Sequence, residues 1–233
     1  MVRNIKRFGY FITGFACVFI FCGVLAVWAG TDNATGVSSD SRAIYAGSNE
    51  KAVGLMFNVY SGTEYLADIM QTLKENGASA TFFIGGIWAE KNDSTLSDIV
   101  ENGFEIGSHG YFHKDHSKLG YKENLEEMRV THKLIKSISG VDVRLFAPPS
   151  GAYSSVTLDA AEDMGYTTIL WSKDTIDWRD HDTELICSRA TSDIEGGDLI
   201  LMHPTENTAE ALPEIIGRIK NAGLEMLCVS DVL

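Results

Sequence analysis

The sequence predicts an α/β domain in which a parallel sheet of about seven strands closes, or nearly closes, into a barrel covered by helices. Short apolar runs alternate with amphipathic stretches over residues 51–233, and parallel strands need crossover connections of this kind. The same residues contain neither the glycine fingerprint of dinucleotide-binding sheets nor a phosphate-binding loop. A barrel is therefore favoured over an open nucleotide-binding sheet.

The first 30 residues predict a membrane anchor. Residues 8–29 carry no charge, and a helix of that length, at about 1.5 Å per residue, crosses the ~30 Å hydrocarbon core of a bilayer. Arg3, Lys6 and Arg7 precede this run and should remain in the cytoplasm, so we expect the rest of the chain outside the cell membrane. A cleaved signal peptide ending at Ala29 is the alternative, and it also exports the domain.

Residues 31–50 are rich in Ser, Gly, Thr, Asn and Asp and lack apolar periodicity, which predicts a flexible tether. Strands and helices then alternate through a domain over residues 51–233. Apolar runs predict strands over residues 52–57, 80–84, 104–107, 145–147, 167–171, 199–202 and 226–229. Amphipathic patterns predict helices over residues 65–75, 96–100, 122–139, 155–164, 183–192 and 209–222.

The longest predicted helix covers residues 122–139 and ends before Gly140. Its predicted buried face is apolar except for one histidine, and consists of Leu125, Met128, His132, Ile135 and Ile138.

Charge and cysteine content narrow the function further. The net charge of −13 should repel phosphate backbones, which argues against nucleic-acid binding. Cys17 and Cys22 fall within the apolar run. Cys187 and Cys228 fall within the domain, where an exported environment permits a disulfide, but we expect two buried thiols because spacing alone does not bring them together.

Two histidines directly follow the third predicted strand. His109 and His113 are four residues apart and can converge on one cation where the chain turns helically. A site of this kind without thiolates suits zinc or a similar divalent metal. His116 extends the spacing and is an alternative third ligand, although catalytic sites usually take the third ligand from another element.

Polar clusters also follow the next three predicted strands. They contain Pro149 and Ser150 after the fourth strand, Asp177 and Trp178 after the fifth, and His203 after the sixth. Because the carboxyl ends of parallel strands meet at one edge of a sheet, we expect these clusters to meet the histidine pair at one rim.

The order of these segments resembles the polysaccharide deacetylases, also called the NodB homology family or carbohydrate esterase family four, and most closely their sporulation-associated branch. The segments that carry the resemblance are residues 80–83, 105–109 with His113, 147–151, 174–178 and 201–203. The resemblance implies a deformed barrel of about seven strands that removes acetyl groups from N-acetylated glycans such as peptidoglycan or chitin.

In similar enzymes an Asp and two His hold the metal, a second Asp is the general base, and a late His is the general acid. Carried onto this sequence, the resemblance makes His109 and His113 the metal ligands and His203 the general acid, oriented by Asp177. The substrate-binding residues that it implies are Trp178, Leu201, Pro149 and Ser150, with Trp178 and Leu201 forming an acetyl pocket.

The first motif departs from the family pattern. Where the family has Thr-Phe-Asp-Asp-Gly, residues 56–62 read Met-Phe-Asn-Val-Tyr-Ser-Gly. Asn58 stands at the position of the catalytic base, and Val59 stands where the metal-binding carboxylate would be. Tyr60 is the nearest substitute for that ligand.

Ala147 is the second departure, because it replaces an Arg that pairs with the catalytic Asp in the family. The Asp and the Arg are both absent here, so neither charge is left buried without its partner. Loss of a positioned base costs about 10²- to 10⁴-fold in rate. The carboxylates that could replace the missing base are Asp174, Asp177 and Glu64.

Two functions follow from these residues. The first is a metal-dependent hydrolase that removes N-acetyl groups from cell-wall polysaccharide, with an altered base and weak activity. The retained histidines and the Asp-Trp pair favour it. The alternative is a non-catalytic glycan-binding or scaffolding protein of the same fold, which the missing Asp and Arg favour. The sequence identifies no protein partner.

Overall fold

The described part of the chain, residues 40–233 of a computed structural model, is built on one sheet in which every strand pair is parallel. Its strands are β1 (Ala43–Ile44), β2 (Ala52–Val59), β3 (Thr81–Ile84), β4 (Glu105–Ser108), β5 (Leu145–Phe146), β6 (Thr167–Ile169), β7 (Lys173–Asp174), β8 (Leu199–Met202) and β9 (Glu225–Leu227). Their order in the sheet is β1-β6-β5-β4-β3-β2-β8-β7, and β9 pairs with the first half of β2.

Helices connect these strands, as parallel pairing requires. They are α1 (Thr63–Glu75), α2 (Gly86–Lys91), α3 (Asp93–Glu101), α4 (Tyr121–Ser139), α5 (Ser155–Asp163), α6 (Thr183–Thr191), α7 (Glu206–Asn221) and α8 (Val229–Val232). Short 3-10 turns lie after β4, at His116–Lys118, and after β5, at Pro149–Gly151.

The sheet curls into a half-barrel. Its end strands, β1 and β7, each pair on one side only, yet Ala46, just past β1, bridges Asp198 at the start of β8. The predicted parallel α/β architecture is therefore confirmed, although the sheet forms a half-barrel and not a closed barrel. All seven predicted strands are present, and the structure adds β1 and β7, which at two residues each are too short to show as apolar runs.

Two apolar layers lie on opposite faces of the sheet because successive side chains of a strand alternate. Along β2, Val53 and Phe57 face the helices and belong to the larger core, and Phe57 stacks on Phe82 at 5.0 Å between ring centroids. Met56 belongs to the inner core with Phe83 and other side chains from facing strands. The inner layer ends at the carboxyl ends of the strands, where polar residues replace apolar ones.

Residues 40–50 belong to the folded unit, whereas the sequence predicted a tether over residues 31–50. Ala43 and Ile44 pair with β6, and the backbone N–H groups of Ser48 and Asn49 donate to the Val232 carbonyl at 3.0 and 3.1 Å. Backbone pairing with distant segments orders this stretch, and such pairing leaves no mark in composition.

The predicted anchor over residues 1–30 and the first part of the predicted tether lie outside the described residues. Within residues 40–233, no helix combines the length and the apolar character that crossing a bilayer demands.

Cys187 and Cys228 are both free thiols. Cys187 is buried as predicted, but Cys228 is only half-buried because it lies at the surface just before α8.

The buried face of α4 differs from the predicted apolar stripe. Leu125, His132 and Ile138 are only half-buried, because the helix is rotated relative to the predicted face. The fully buried residues of α4 are Asn124, Glu127, Met128, Thr131 and Ile135. The rotation places polar side chains against the segment that carries His109, His113 and His116.

Removal of one core ring should show how much the helix-facing layer contributes. Phe82 is fully buried between Phe57 and Phe104, so Phe82→Ala should lower the free energy of unfolding by about 3–5 kcal/mol. Phe112 is 54% exposed, so Phe112→Ala should cost less than about 1 kcal/mol. Urea unfolding of the two variants measures the difference, and equal losses would contradict this assignment of the core.

Candidate active site

The carboxyl ends of the strands surround a cavity of about 280 Å³. Its lining comes from strand ends and the loops that follow them, and consists of Asn58, Tyr60, His109, His113, Ser150, Trp171, Asp174, Trp178, Leu201 and His203. The structure thus brings together the three histidines that the sequence predicted to meet. Parallel pairing explains the convergence, because it places every strand end at the same edge.

His109 enters the cavity from the end of β4 as a neutral imidazole. Its Nδ1 lies 2.8 Å from the Ala147 carbonyl oxygen, which can only accept a hydrogen bond, so the proton is on Nδ1. Nε2 then carries a lone pair, and this buried atom has no hydrogen-bond partner among the described residues. Burial lowers the pKa of His109 to about 3, which keeps the ring neutral at pH 7.

His113 is presented by a tight turn. Gly110 and His113 both have left-handed backbone conformations, with φ of 73° and 53°. The His109 and His113 ring centroids are 5.1 Å apart. Two imidazoles that bind one zinc ion through bonds of about 2 Å bring their centroids to roughly this distance, about 5 Å. Burial lowers the pKa of His113 as well, so both rings are suited to bind a cation.

The described residues do not complete a metal site by themselves. Among residues 40–233, no cluster of three or more His, Cys, Asp or Glu side chains is arranged to hold a metal ion. Val59 is fully buried in the helix-facing core and offers no donor atom. The residues present therefore fit two ligands of the expected metal, and the anionic third ligand has no equivalent.

His116, the alternative third ligand, does not line the cavity. Its Nδ1 lies 2.7 Å from the Asn124 side-chain oxygen, and its ring packs against Phe146 at 5.1 Å between centroids. The ring is fully buried against Gly110, where a Cβ would lie 2.8 Å from its Nε2, so His116 is a structural residue of the core.

Tyr60 lies between the two halves of the cavity. Its ring centroid is 4.0 Å from that of His113, 6.1 Å from His109 and 6.3 Å from His203. Burial, together with the negative charge of Asp177, raises the pKa of the phenol, so Tyr60 is neutral at pH 7. The side chain stays 42% exposed, which leaves its ring available to a bound molecule.

His203 and Asp177 form a hydrogen-bonded pair in the wall of the same cavity. His203 donates from Nδ1 to Asp177 Oδ1 at 2.8 Å, and its backbone N–H donates to Oδ2 at 2.6 Å. Thr208, from the first turn of α7, donates its hydroxyl to the same Oδ2 at 2.5 Å. The buried carboxylate therefore holds the ring with Nε2 free. Sequence reasoning missed Thr208, and its only signal is its place three residues after the Thr205 helix cap.

Gly62 allows the β2 loop to reach this wall. It has a left-handed φ of 73°, and a Cβ built there would lie 1.8 Å from the Pro204 carbonyl oxygen. Only glycine permits this approach, which brings Asn58 and Tyr60 beside His203.

Asn58 occupies the position where the sequence placed the base. It is 2% exposed, and its side-chain oxygen has no hydrogen-bond partner among the described residues. A carboxamide can orient a ligand through hydrogen bonds but has no carboxylate to accept a proton. Of the carboxylates considered as replacements, Asp174 lines the cavity, Asp177 is held by His203 and Thr208, and Glu64 is exposed on α1.

The predicted substrate-binding residues separate into two groups. Trp178, Leu201 and Ser150 line the cavity, whereas Pro149 is buried and does not line it. Trp178 is 57% exposed at the mouth, and Leu201 is buried deeper. Trp171 also lines the cavity and was not predicted as a site residue, although it ends the fifth predicted strand.

Comparison with known proteins adds a family to this geometry. Residues 46–169 match the model of the polysaccharide deacetylase family. The chain is 37% identical over 197 residues to the uncharacterized protein YlxY of Bacillus subtilis, covering 84% of this chain and 62% of that protein. It is 28% identical over 195 residues to a peptidoglycan-N-acetylglucosamine deacetylase of Bacillus cereus, covering 79% and 89%.

Two solved structures show the same architecture. BA3943 of Bacillus anthracis, described as a CE4 family pseudoenzyme, superposes with a TM-score of 0.80 at 36% identity, covering 82% of this chain and 68% of that one. A BA3943 mutant described as having restored enzymatic activity gives a TM-score of 0.80 at 34% identity, covering 82% and 70%.

The buried neutral histidines predict a loss of stability in acid. The pKa of His109 is lowered from 6.5 to about 3, so between these values the unfolded chain binds a proton that the folded chain does not. The stability contribution is complete above pH 6.5 and is lost as the pH falls towards 3. The pKa values of His113 and His116 are lowered in the same direction. Urea unfolding as a function of pH, with a chelator present, measures the decline.

His109→Gln removes one of the titrating rings and should make the decline shallower. His181→Gln changes an exposed loop residue and serves as the control. A decline that is equally steep in His109→Gln and the unmodified chain would contradict the role assigned to burial.

Proposed function

Since the chain belongs to the polysaccharide deacetylase family, we propose that its cavity binds N-acetylated cell-wall glycan and slowly hydrolyses the N-acetyl group. One observation carries the proposal: the His109–His113 pair and His203, which Asp177 holds, line a single cavity. Amide hydrolysis needs a polarised carbonyl on one side and a proton for the leaving amine on the other. In this proposal the His109–His113 pair serves the first need and His203 the second.

His203 supplies the proton in this proposal. Asp177 accepts from Nδ1, so the ring presents Nε2 to the cavity, and a ring that acts as the acid carries a proton on Nε2 as well. Protonation of the leaving nitrogen by Nε2 lets the amine depart as a neutral group. Thr208 keeps the carboxylate fixed during this exchange.

His109 and His113 are the residues that would hold a divalent metal, with zinc the expected ion. Such an ion supplies Lewis-acid polarisation of the acetyl carbonyl when it is bound. The lone pair on His109 Nε2 and the spacing of the two rings support this assignment. Leu201 and the exposed face of Trp178 offer an apolar wall for the acetyl methyl group.

Asn58 sets the rate. A carboxamide in place of a positioned base costs about 10²- to 10⁴-fold. Because Ala147 provides no guanidinium, the chain also lacks the charge that would stabilise a carboxylate there. Turnover should therefore be far slower than in a relative with both residues.

A second function, glycan binding without turnover, is favoured by one observation. Asn58 and Val59 leave the end of β2 without a carboxylate, while the aromatic lining of the cavity is retained. The similarity to a pseudoenzyme of the same fold supports this alternative. In both readings residues 1–30 would anchor the domain to the outer face of the cell membrane, next to the cell wall.

Restoring the carboxylate should distinguish the two functions. Asn58→Asp should raise acetate release from N-acetylglucosamine oligomers by about tenfold or more, below the full value of about 10²- to 10⁴-fold for a positioned base, because the new carboxylate has no guanidinium beside it. The full-length chain, purified in mild detergent with added zinc, is the sample. Asn221→Asp, on the surface at the end of α7, makes the same chemical change away from the cavity and should have no effect. Glycan binding without acetate release by any of these proteins would defeat the hydrolase proposal and support the alternative.

Removing the proposed acid should affect turnover more than binding. In the Asn58→Asp background, His203→Asn should lower kcat by about 10²- to 10⁴-fold with a small change in KM. His181→Asn is the matched control because His181 lies on an exposed loop. A fall in glycan affinity with unchanged kcat would contradict the role given to His203.

A further inference from the structure

We propose that Glu127, on helix α4, is the positioning residue of the histidine pair. This proposal rests on the proposed metal site and concerns how the two histidines of that site are held in place. Glu127 is a carboxylate only 5% exposed, it does not line the cavity, and the sequence pattern did not single it out. Its contacts all fall on the turn that presents His113.

The contacts flank His113 on both sides. Glu127 Oε2 accepts from the backbone N–H of Tyr111 at 2.9 Å and of Phe112 at 2.8 Å. Its other oxygen, Oε1, pairs with Lys114 Nζ at 2.9 Å. One side chain therefore binds the two residues before His113 and the residue after it.

These bonds matter because the turn is strained. His113 has a φ of 53°, a left-handed conformation that residues other than glycine adopt only at a cost. A backbone of this kind persists where its surroundings hold it from more than one direction. Glu127 holds the N–H groups, and α2 holds the carbonyl groups, because Gly86 N–H donates to the Gly110 carbonyl at 2.9 Å and Ile87 N–H to that of Tyr111 at 3.1 Å.

The buried charge makes the attachment specific. A carboxylate removed from water is costly unless hydrogen bonds and an opposite charge compensate it. The turn provides two N–H groups and one ammonium, so alternative turn conformations would leave Glu127 unpaired. Charge-assisted bonds of this type are stronger than bonds between neutral groups. The ring of His113 is thus fixed relative to that of His109, which the end of β4 holds independently.

A neighbouring residue shows that α4 acts on the next segment separately. Asn124, one turn earlier, accepts from His116 Nδ1 and donates to the carbonyls of His116, Leu119 and Gly120. None of its bonds reaches residues 111–114. The attachment of the His113 turn to α4 therefore depends on Glu127.

Zinc affinity of the full-length chain, measured by calorimetry, tests the proposal. Glu127→Ala removes every contact and should weaken zinc binding by about 10- to 100-fold, the usual effect of losing a group that orients ligands. Glu127→Gln keeps an oxygen able to accept both N–H bonds but loses the charge and the pair with Lys114, so its affinity should lie between those of the unmodified chain and Glu127→Ala. Glu126→Ala, on the exposed side of the same helix, is the matched control and should have no effect. Thermal unfolding of each variant shows separately any loss of stability.

A Glu127→Ala protein that binds zinc as tightly as the unmodified chain would overturn the proposal. So would a Glu127→Gln protein as weak as Glu127→Ala, because the bonds to the backbone would then not be what matters. If the unmodified chain binds no zinc, the proposed metal site fails, and hydrogen exchange at the Tyr111 and Phe112 amides decides the positioning role by itself. Exchange at these amides should accelerate by about tenfold or more in Glu127→Ala and stay unchanged in Glu126→Ala. Unchanged exchange in Glu127→Ala would overturn the positioning role.

Discussion

The parallel pairing around β2 is the constraint on which the rest of the structure depends. β2 pairs with β3 and β8 in a register that aligns Asn58 with Phe83 and Phe57 with Met202, and β3 in turn aligns Ile84 with Ser108. Residues that follow these strands therefore emerge at one level. A one-residue slip of β2 would exchange its two faces, burying Asn58 under the helices and placing apolar side chains at the cavity.

The register determines which residues reach the cavity, and the charges of those residues determine its chemistry. Asp177 is buried and accepts hydrogen bonds from His203 and Thr208, so the cavity retains one hydrogen-bonded histidine–carboxylate pair. Asn58 lines the same cavity and Ala147 directly follows β5, and at these two positions the family resemblance implies a carboxylate and a guanidinium. Neutral residues at both positions leave no uncompensated charge in a dry interior, so the fold tolerates them.

The histidine pair illustrates how a ligand site depends on residues that never touch a ligand. His109 is oriented by the Ala147 carbonyl, directly after β5, and His113 is presented by a strained turn that Glu127 and α2 hold. Tyr60 then lies against His113 and narrows the space between the two walls. Substitutions in α4 can therefore alter the cavity without lining it, because they move the imidazole of His113.

By itself, the sequence determined the order of strands and helices, the strand ends that carry the site, and the histidines that converge there. Apolar runs and residues that end strands are local signals. Because parallel strands share one carboxyl edge, these signals also predict that the residues after the strands meet. Only the tertiary structure decided that His116 belongs to the core, that Thr208 and Glu127 support the site, and that residues 40–50 complete the sheet. These outcomes depend on hydrogen bonds between residues far apart in the chain, and on the rotation of α4 about its axis, which hydrophobic periodicity fixes only coarsely.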